Sequence, residues 1–311
     1  MSHPFLSVIV LGFRQFHKTT QPCLESLLPW SHDPRVEIWL TDNGSDDDAG
    51  SLSRAWCERH PSVKFLPGSA NLGFAGGMNW ASSYARGSWL LLVNNDTLFP
   101  EKTLDALIEV LQRAPDKMAL IGPVTNAAGN AQRLWMPDLN HLEMLELGAR
   151  LNATPTAALL PVYRCDFFCV AVRSSVWQAM GGLDTHFGLG YYEDFDFSLR
   201  VRQAGWQQAI SEDVFILHVG SATFKASKQA KLLMKRNKLL LKRKHPQAQF
   251  LHARIGNLEV LKSYEQTPVA ARDSIELRRA FRLRALREDA PRSFWKKWLW
   301  MRKVKPFLGQ T

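Results

Sequence analysis

The chain has 311 residues, of which 46% are hydrophobic, and a formal net charge of +10. This length and composition predict a globular protein with one large domain and an extension. No apolar run approaches the roughly eighteen residues that a membrane-spanning helix needs, so we do not expect such a helix.

The charge is divided unevenly along the chain. Residues 1–220 contain 16 Lys and Arg against 23 Asp and Glu, whereas residues 221–311 contain 23 against 6. The acidic part needs a cation or a buried site to tolerate its clustered carboxylates. The basic part suits an anionic surface, such as phospholipid, nucleic acid or a phosphorylated substrate.

The first four residues lack the basic, apolar and small-residue pattern of a signal peptide, so we expect a cytoplasmic protein. The cysteines form no C-x-x-C pair, and we interpret all four as free structural thiols. Cys165 and Cys169 are expected to line one buried face of a strand-like run. The other two are Cys23 and Cys57.

Apolar runs alternate with helical periodicities over the first 124 residues. Strands are predicted at 6–12, 36–41, 63–66, 89–93 and 118–124, and helices at 19–28, 51–59, 73–86 and 100–112. This alternation predicts an α/β fold, a mostly parallel sheet with helices on both faces.

The pattern weakens over residues 125–161, which we interpret as a loop or hairpin over the site. It resumes with a strand at 167–172, helices at 175–180 and 193–204, and a strand at 214–218. Beyond residue 223 the chain is predicted to be helical and basic. We therefore divide it into an α/β domain at 1–220 and a basic helical extension at 221–311.

Polar residues follow two of the predicted strands, where open α/β sheets bind their ligands. Asp42 can accept hydrogen bonds from a nucleobase or a ribose, although Asp42-Asn43-Gly44-Ser45 is also a common turn sequence. Residues 71–79 form a glycine-rich entry to a helix, where free N–H groups favour an anion. This segment lacks the Lys-Ser/Thr of a P-loop and the spacing of a dinucleotide fingerprint.

Asn94-Asn95-Asp96 ends another strand and offers a carboxylate and two amide oxygens. These are hard ligands suited to Mg²⁺ or Mn²⁺ held by a diphosphate, but Asp96 could equally cap the next helix. His218 follows an apolar run and is either a metal ligand or a core histidine. Glu193 and Asp194 begin a helix whose dipole stabilises their ionised forms, in a catalytic or a purely structural role.

Seven segments, in this order and spacing, resemble the family 2 glycosyltransferases, particularly their rhamnosyltransferase-like branch. They are residues 7–10, 42–45, 71–77, 94–97, 181–184, 192–200 and His218. The likeness covers about residues 5–220. It implies a GT-A fold, a nucleoside-diphosphate sugar donor, Mg²⁺ or Mn²⁺ as cofactor, and inversion at the anomeric carbon.

Matching positions carry the family's roles onto this chain. The resemblance implies that Asp194 is the general base with Glu193 beside it, that Asp96 holds the metal, and that His218 contacts the metal or the diphosphate. The residues implied to contact the nucleotide sugar are Asp42, Asn71, Gly73, Asn95 and Asp96. Asn94 replaces the first acid of the family's Asp-x-Asp motif, so we expect weaker metal binding.

The resemblance implies transfer of a dTDP- or UDP-linked sugar, with rhamnose as one candidate, to a hydroxyl of a lipid-linked or cell-surface glycan acceptor. The alternative function is that of a non-catalytic scaffold or sugar-binding subunit in glycan assembly. The retained Asp96 and Asp194 argue against that alternative.

The extension ends in tryptophans interleaved with Lys and Arg over residues 293–303. We interpret Trp295, Trp298 and Trp300 as an anchor on an anionic membrane surface, which predicts a peripheral protein at the inner face of the cytoplasmic membrane. Alternatively, the tryptophans pack on the α/β domain or on a second copy in a homodimer. No RNA- or DNA-binding module is recognisable, so nucleic acid is not expected as a partner.

Overall fold

The structure, a computed structural model, describes residues 3–154, 159–220, 228–264 and 272–308. A sheet of eight strands lies between two layers of helices. Its strands are β1 Leu6–Gly12, β2 Val36–Asp42, β3 Val63–Pro67, β4 Trp89–Asn94, β6 Met118–Val124, β7 Leu159–Pro161, β8 Cys169–Arg173 and β9 Gln207–Phe215. A separate ribbon pairs β5 Thr97–Leu98 with β10 Leu217–His218.

The helices before residue 220 are α1 Thr20–Leu27, α2 Ala49–Arg59, α3 Gly73–Ser82, α4 Thr103–Gln112, α5 His141–Asn152, α6 Ser174–Ala179 and α7 Glu193–Gln203. Those after it are α8 Lys228–Lys244, α9 Ala253–Tyr264, α10 Arg272–Glu288 and α11 Phe294–Leu308. None of the helices in these described ranges is long and apolar enough to cross a membrane.

The strand order is β3-β2-β1-β4-β8-β6-β9-β7. Strands β3, β2, β1 and β4 are parallel neighbours, and β6 is parallel to β9, whereas β8 and β7 run antiparallel to their neighbours. All seven residues of β1 are buried because β2 and β4 flank it and helices cover both of its faces. Val8 and Val10 contact one helical layer and Ile9 the other, as the two-residue period of a strand requires.

The predicted α/β sheet is confirmed, with two corrections in the later part of the chain. Residues 125–161 are not only loop, since they contain α5 and β7. The N-terminus of α5 has a capping box in which Asn140 and Glu143 each accept a hydrogen bond from the other's backbone N–H. The single strand predicted at 214–218 is divided between the end of β9, a longer strand that begins at Gln207 and pairs with β6, and the separate strand β10.

The four cysteines are free and buried, as predicted. Cys169 contacts the helical layer that contains α4, whereas Cys165 contacts the layer that contains α3. The prediction that they share one face was therefore wrong. Cys165 precedes β8 in an irregular segment, where the alternation of a strand does not apply.

Helices α9, α10 and α11 of the extension pack against the β9–β7 edge of the sheet. Ile210 of β9 and Leu160 of β7 lie in one apolar cluster with residues of α9, α10 and α11. In α11 the buried members are Trp300, Val304 and Phe307, and the Trp300 indole donates to the Leu286 carbonyl over 3.1 Å. Trp300 is thus a core residue and not the interfacial residue that the sequence predicted.

A buried ion pair fixes the same interface. Glu212 of β9 and Arg282 of α10 are 1% and 0% exposed, and the Arg282 Nε–H donates to Glu212 Oε1 over 2.7 Å. Arg282 also donates to the Ala131 carbonyl and to Asn257 Oδ1. With these acceptors and the Tyr264 hydroxyl, the pair is surrounded by hydrogen bonds, which a buried charge needs.

We predict that Arg282→Met lowers the free energy of unfolding by about 3–5 kcal/mol, because it leaves Glu212 buried without its cation. Arg284→Met is the matched control on the same helix, since Arg284 forms an exposed ion pair with Asp138. Its cost should stay below about 1 kcal/mol. Urea titration followed by circular dichroism measures both, and equal costs would contradict the role given to the buried pair.

Candidate active site

Asp42 ends β2 and lies opposite Gly12 of β1. Its Oδ1 accepts a hydrogen bond from the Ser45 hydroxyl over 2.5 Å, and its Oδ2 accepts the Ser45 N–H over 3.2 Å. The carboxylate therefore closes its own turn and is buried. Two carboxylate oxygens offer about four acceptor positions, so this turn leaves some of them for a ligand.

The next residue, Asn43, joins this turn to the glycine-rich segment. Its side-chain oxygen accepts the Leu72 N–H over 3.2 Å, and its amide nitrogen donates to the Gly73 carbonyl over 3.1 Å. Asn71 Oδ1 in turn accepts the Gly73 N–H over 2.9 Å. Asn71 and Gly73 are thereby held beside the end of β2, which is where the sequence predicted a ligand.

Gly73 is also the contact point with a loop far along the chain. It adopts a φ of +70°, and a Cβ atom there would clash with the Gly188 carbonyl. The Phe74 N–H donates to the Leu189 carbonyl over 3.3 Å. The loop that leads to Glu193 and Asp194 therefore lies directly on the turn that contains Asn71 and Gly73.

Asp96 and His218 come together through the β5–β10 ribbon. His218 pairs with Thr97 in this ribbon, and the Val219 N–H donates to the Asp96 carbonyl over 2.9 Å. The His218 Nε2 consequently lies 3.3 Å from Asp96 Oδ1. The structure thus joins the two residues that the family resemblance gave to the metal.

Three residues that the sequence did not single out hold the His218 ring and backbone. The Asn126 side chain accepts the His218 N–H over 2.8 Å and donates to the His218 carbonyl over 3.0 Å. The imidazole stacks on Phe168, with ring centroids 5.1 Å apart, and its Nδ1 lies 2.9 Å from the Ala127 carbonyl oxygen. A carbonyl only accepts, so Nδ1 carries the proton and the lone pair of a neutral His218 lies on Nε2.

This geometry fits a divalent cation. A neutral Nε2 and a carboxylate oxygen are both acceptors, and a shared cation or a proton is what stabilises them at 3.3 Å. Adjacent ligands of an octahedral Mg²⁺, each about 2.1 Å from the ion, lie about 3 Å apart, close to this separation. No three His, Cys, Asp or Glu side chains in the described parts of the chain converge on one metal position. A pair of protein ligands suits an ion whose other ligands are water and phosphate oxygens.

Asn95 precedes Asp96 in the chain, but its side-chain amide faces the start of α1. Its amide nitrogen donates to the hydroxyls of Thr19 and Thr20 over 3.0 and 2.8 Å. The amide nitrogen thus joins the end of β4 to the start of α1. Its predicted contact with the nucleotide sugar stays a prediction, and the side-chain oxygen is the atom that could make it.

Asp194 stands at the start of α7 beside a charged cluster that the sequence did not indicate. Its Oδ1 accepts the Phe195 N–H over 2.7 Å, and its Oδ2 lies 3.7 Å from Arg164 Nη1. Arg164 also pairs with Asp166, whose Oδ2 accepts the Gly129 N–H over 2.6 Å. Residues 126–129 therefore contact both His218 and the cluster around Asp194.

Burial raises the pKa of both acids, and it raises that of Glu193 further than that of Asp194. Desolvation, together with the neighbouring charge of Asp194, raises the pKa of Glu193 to about 8. Desolvation also raises the pKa of Asp194, to about 6, although the Arg164 guanidinium opposes that rise. At neutral pH Asp194 is thus largely ionised and Glu193 largely protonated. Paired acids with separated pKa values are typical of acid–base sites.

The sequence model of the family described as Glycosyl transferase family 2 matches residues 7–175. An N-acetylglucosaminyl-diphospho-decaprenol L-rhamnosyltransferase from Mycobacterium tuberculosis is 27% identical over 212 residues. That alignment covers 59% of this chain and 66% of the relative. The chain therefore matches just under two thirds of that relative's length.

Two solved glycosyltransferase structures show the same fold. The mannosyltransferase PcManGT from Pyrobaculum calidifontis, in complex with GDP-Man and Mn²⁺, has a TM-score of 0.55 and 16% identity, covering 100% of this chain and 82% of that chain. GalNAc-T7 with UDP, GalNAc and Mn²⁺ has a TM-score of 0.57 and 14% identity, covering 81% of this chain and 52% of that chain. At these identities the likeness concerns the fold alone, and it confirms the GT-A prediction. Because the family match spans more than half of the chain, the protein belongs to glycosyl transferase family 2.

Proposed function

We propose that this protein transfers a sugar from a nucleoside-diphosphate donor to a hydroxyl of a lipid-linked or cell-surface glycan, with inversion at the anomeric carbon. The main observation that supports this proposal is the packing of the Gly188–Leu189 loop on the Gly73 turn. This contact supports the assignment of the candidate base, Asp194, and the candidate donor-binding turn to one site.

Names and ligands of the similar proteins support the choice of substrates. The M. tuberculosis relative is named for rhamnosyl transfer to a lipid-linked diphosphate, and the PcManGT structure contains GDP-Man. For this chain we propose a dTDP- or UDP-linked donor, with rhamnose as the first sugar to test. The acceptor of first choice is an N-acetylglucosaminyl-diphospho-lipid.

The donor would be held by the groups at the ends of β2 and β4. Asp42 would accept a hydrogen bond from the base or ribose, while Asn71 and Gly73 shape the turn against which the nucleotide packs. Asn95 would contribute its side-chain oxygen. Asp96 and His218 would hold Mg²⁺ or Mn²⁺, which would offset the negative charge that grows on the departing diphosphate.

Proton transfer falls to Asp194. Its carboxylate takes the proton of the acceptor hydroxyl while that oxygen forms a bond to the sugar C1 and the bond from C1 to the diphosphate oxygen breaks. One displacement of this kind inverts the anomeric carbon. Glu193, protonated at neutral pH, is suited to donate a hydrogen bond and not to take the proton.

We predict that Asp194→Asn lowers kcat about 10²- to 10⁴-fold, the usual contribution of a general base, and changes the dissociation constant of the nucleoside diphosphate by less than about twofold. Glu193→Gln is the matched control, because an amide imitates the neutral carboxyl and should cost much less. Release of nucleoside diphosphate from dTDP-rhamnose with the lipid acceptor measures kcat, and calorimetry measures binding.

If Glu193→Gln abolishes transfer while Asp194→Asn preserves it, the two roles are reversed. A wild-type protein that binds these nucleotides but turns over none of a panel of dTDP-, UDP- and GDP-sugars would instead support the non-catalytic scaffold.

We predict that Mn²⁺ tightens the binding of dTDP or UDP to the wild type and has no such effect on Asp96→Ala. Asn126→Ala, which releases the His218 backbone, should weaken the Mn²⁺ effect by about 10- to 100-fold in metal concentration. Asn140→Ala is the control, since Asn140 only caps α5. Calorimetric titrations with and without Mn²⁺ measure nucleotide binding to the wild type and the three variants. Equal tightening by Mn²⁺ in Asp96→Ala would contradict the metal assignment.

We place the enzyme on the inner face of the cytoplasmic membrane through the exposed face of α11. Trp295 and Trp298 are 71% and 48% exposed on the side of the helix opposite Trp300. Phe294 contacts Trp295 edge to face, and the Arg302 guanidinium lies 4.9 Å from the Trp298 ring. Aromatic rings beside cations suit the headgroup region of an anionic bilayer.

We predict that the double variant Trp295→Ser/Trp298→Ser keeps the wild-type melting temperature but no longer sediments with phosphatidylglycerol vesicles. Leu142→Ser is the control, because Leu142 is equally exposed, at 66%, on α5. The wild type should be released near 1 M salt, where the Debye length falls to about 3 Å. Equal sedimentation of the double variant would contradict the membrane contact.

A further inference from the structure

The loop before Glu193 and Asp194 has a strained backbone. Of its five residues 188–192, all except Leu189 have positive φ. Two of these are tyrosines, Tyr191 at 72° and Tyr192 at 76°, a conformation that residues with a Cβ rarely adopt. Such a turn persists only where its surroundings hold it.

A side chain of the extension makes that restraint. The Asn237 amide nitrogen, on α8, lies 2.7, 2.8 and 3.0 Å from the carbonyl oxygens of Phe187, Gly190 and Tyr191, and its two hydrogens are shared among these three acceptors. Asn237 is fully buried, and this one amide group ties three carbonyls of one irregular loop to α8. The neighbouring Arg236 donates to the His186 carbonyl over 3.2 Å.

Helix α8 is itself fixed to the helix that begins with the two acids. Lys244 Nζ lies 2.6 Å from Asp196 Oδ1, and His245 Nε2 lies 2.8 Å from the same oxygen. Leu241 packs with Phe187 and Phe195 in one apolar cluster. The position of Asn237 is therefore rigid with respect to the start of α7.

We propose that Asn237 is a positioning residue for catalysis: its amide holds the Tyr191–Tyr192 turn in the left-handed conformation that presents Asp194 to the acceptor. The extension would then be a working part of the active site. The catalytic half of this inference rests on the proposed function, whereas the restraint on the loop does not.

The environment of Asp194 gives the restraint a measurable consequence. The charged groups around it are Arg164, Asp166 and Glu193, and burial is the dominant cause of its raised pKa. This carboxyl is 21% exposed in the structure, and a released loop would expose it more fully and lower its pKa toward an ordinary value near 4. The acidic limb of the kcat profile would then move to lower pH by one to two units, about the difference between 6 and 4.

The test compares Asn237→Leu and the milder Asn237→Ser with Asn257→Leu. Asn257 is also fully buried in the extension, but it accepts from Arg282 at the β9–β7 edge of the sheet. We expect chymotrypsin to cleave after Tyr191 or Tyr192 about tenfold faster or more in the Asn237 variants, since the turn opens locally. The Asn257 variant should lose overall stability without this selective cleavage.

Kinetics with dTDP-rhamnose and the lipid acceptor form the second arm. We expect kcat of the Asn237 variants to fall about 10²-fold, the effect of a small misplacement, with the donor KM within about threefold of wild type. Equal cleavage of the Asn237 and Asn257 variants would overturn the restraint. Faster cleavage with an unchanged kcat and pH profile would overturn the positioning role. Failure of the proposed function would appear separately, as a wild type without turnover, and the proteolysis would still decide on the restraint.

Discussion

A carboxylate removed from water is stable only beside a positive charge or several hydrogen-bond donors. This constraint links the acidic first part of the chain to its basic second part. Glu212 and Asp196 are buried in the first part, and Arg282 and Lys244 of the second part pair with them. Asp196 also pairs with Arg200 of its own helix. Docking of α8 and α10 therefore neutralises buried acids of the first part as well as burying apolar surface.

Glu193 and Asp194 are the acids for which this compensation is weakest. Arg164 lies 3.7 Å from Asp194 and is shared with Asp166, so burial outweighs it and the pKa of each acid rises. Incomplete neutralisation costs stability, and proteins tolerate such a cost mainly at functional sites. The two acids also directly follow a turn with a strained backbone, and this strain is a second local cost in stability.

The local sequence pattern predicted most of the strands and helices around the site, but it did not predict α5 or the direction of β8. Strands β1 and β6 have the predicted bounds because long apolar runs between turns leave few alternatives. Helix α5 was missed although its capping box, Asn140 and Glu143, is visible in the sequence. The antiparallel direction of β8 could not be predicted, since a strand's side-chain pattern reads the same in either direction.

By itself, the sequence determined the α/β class, the polar residues at the ends of β2 and β4, and the acids at the start of α7. Each depends on neighbours within a few residues, through strand period, turn chemistry or helix capping. Only the tertiary structure decided that His218 meets Asp96, that Asn237 holds the turn before Asp194, and that Trp300 is buried while Trp295 is exposed. These contacts depend on which faces of distant elements pack together. That packing is set by the burial of apolar surface and by the pairing of buried charges across the whole chain.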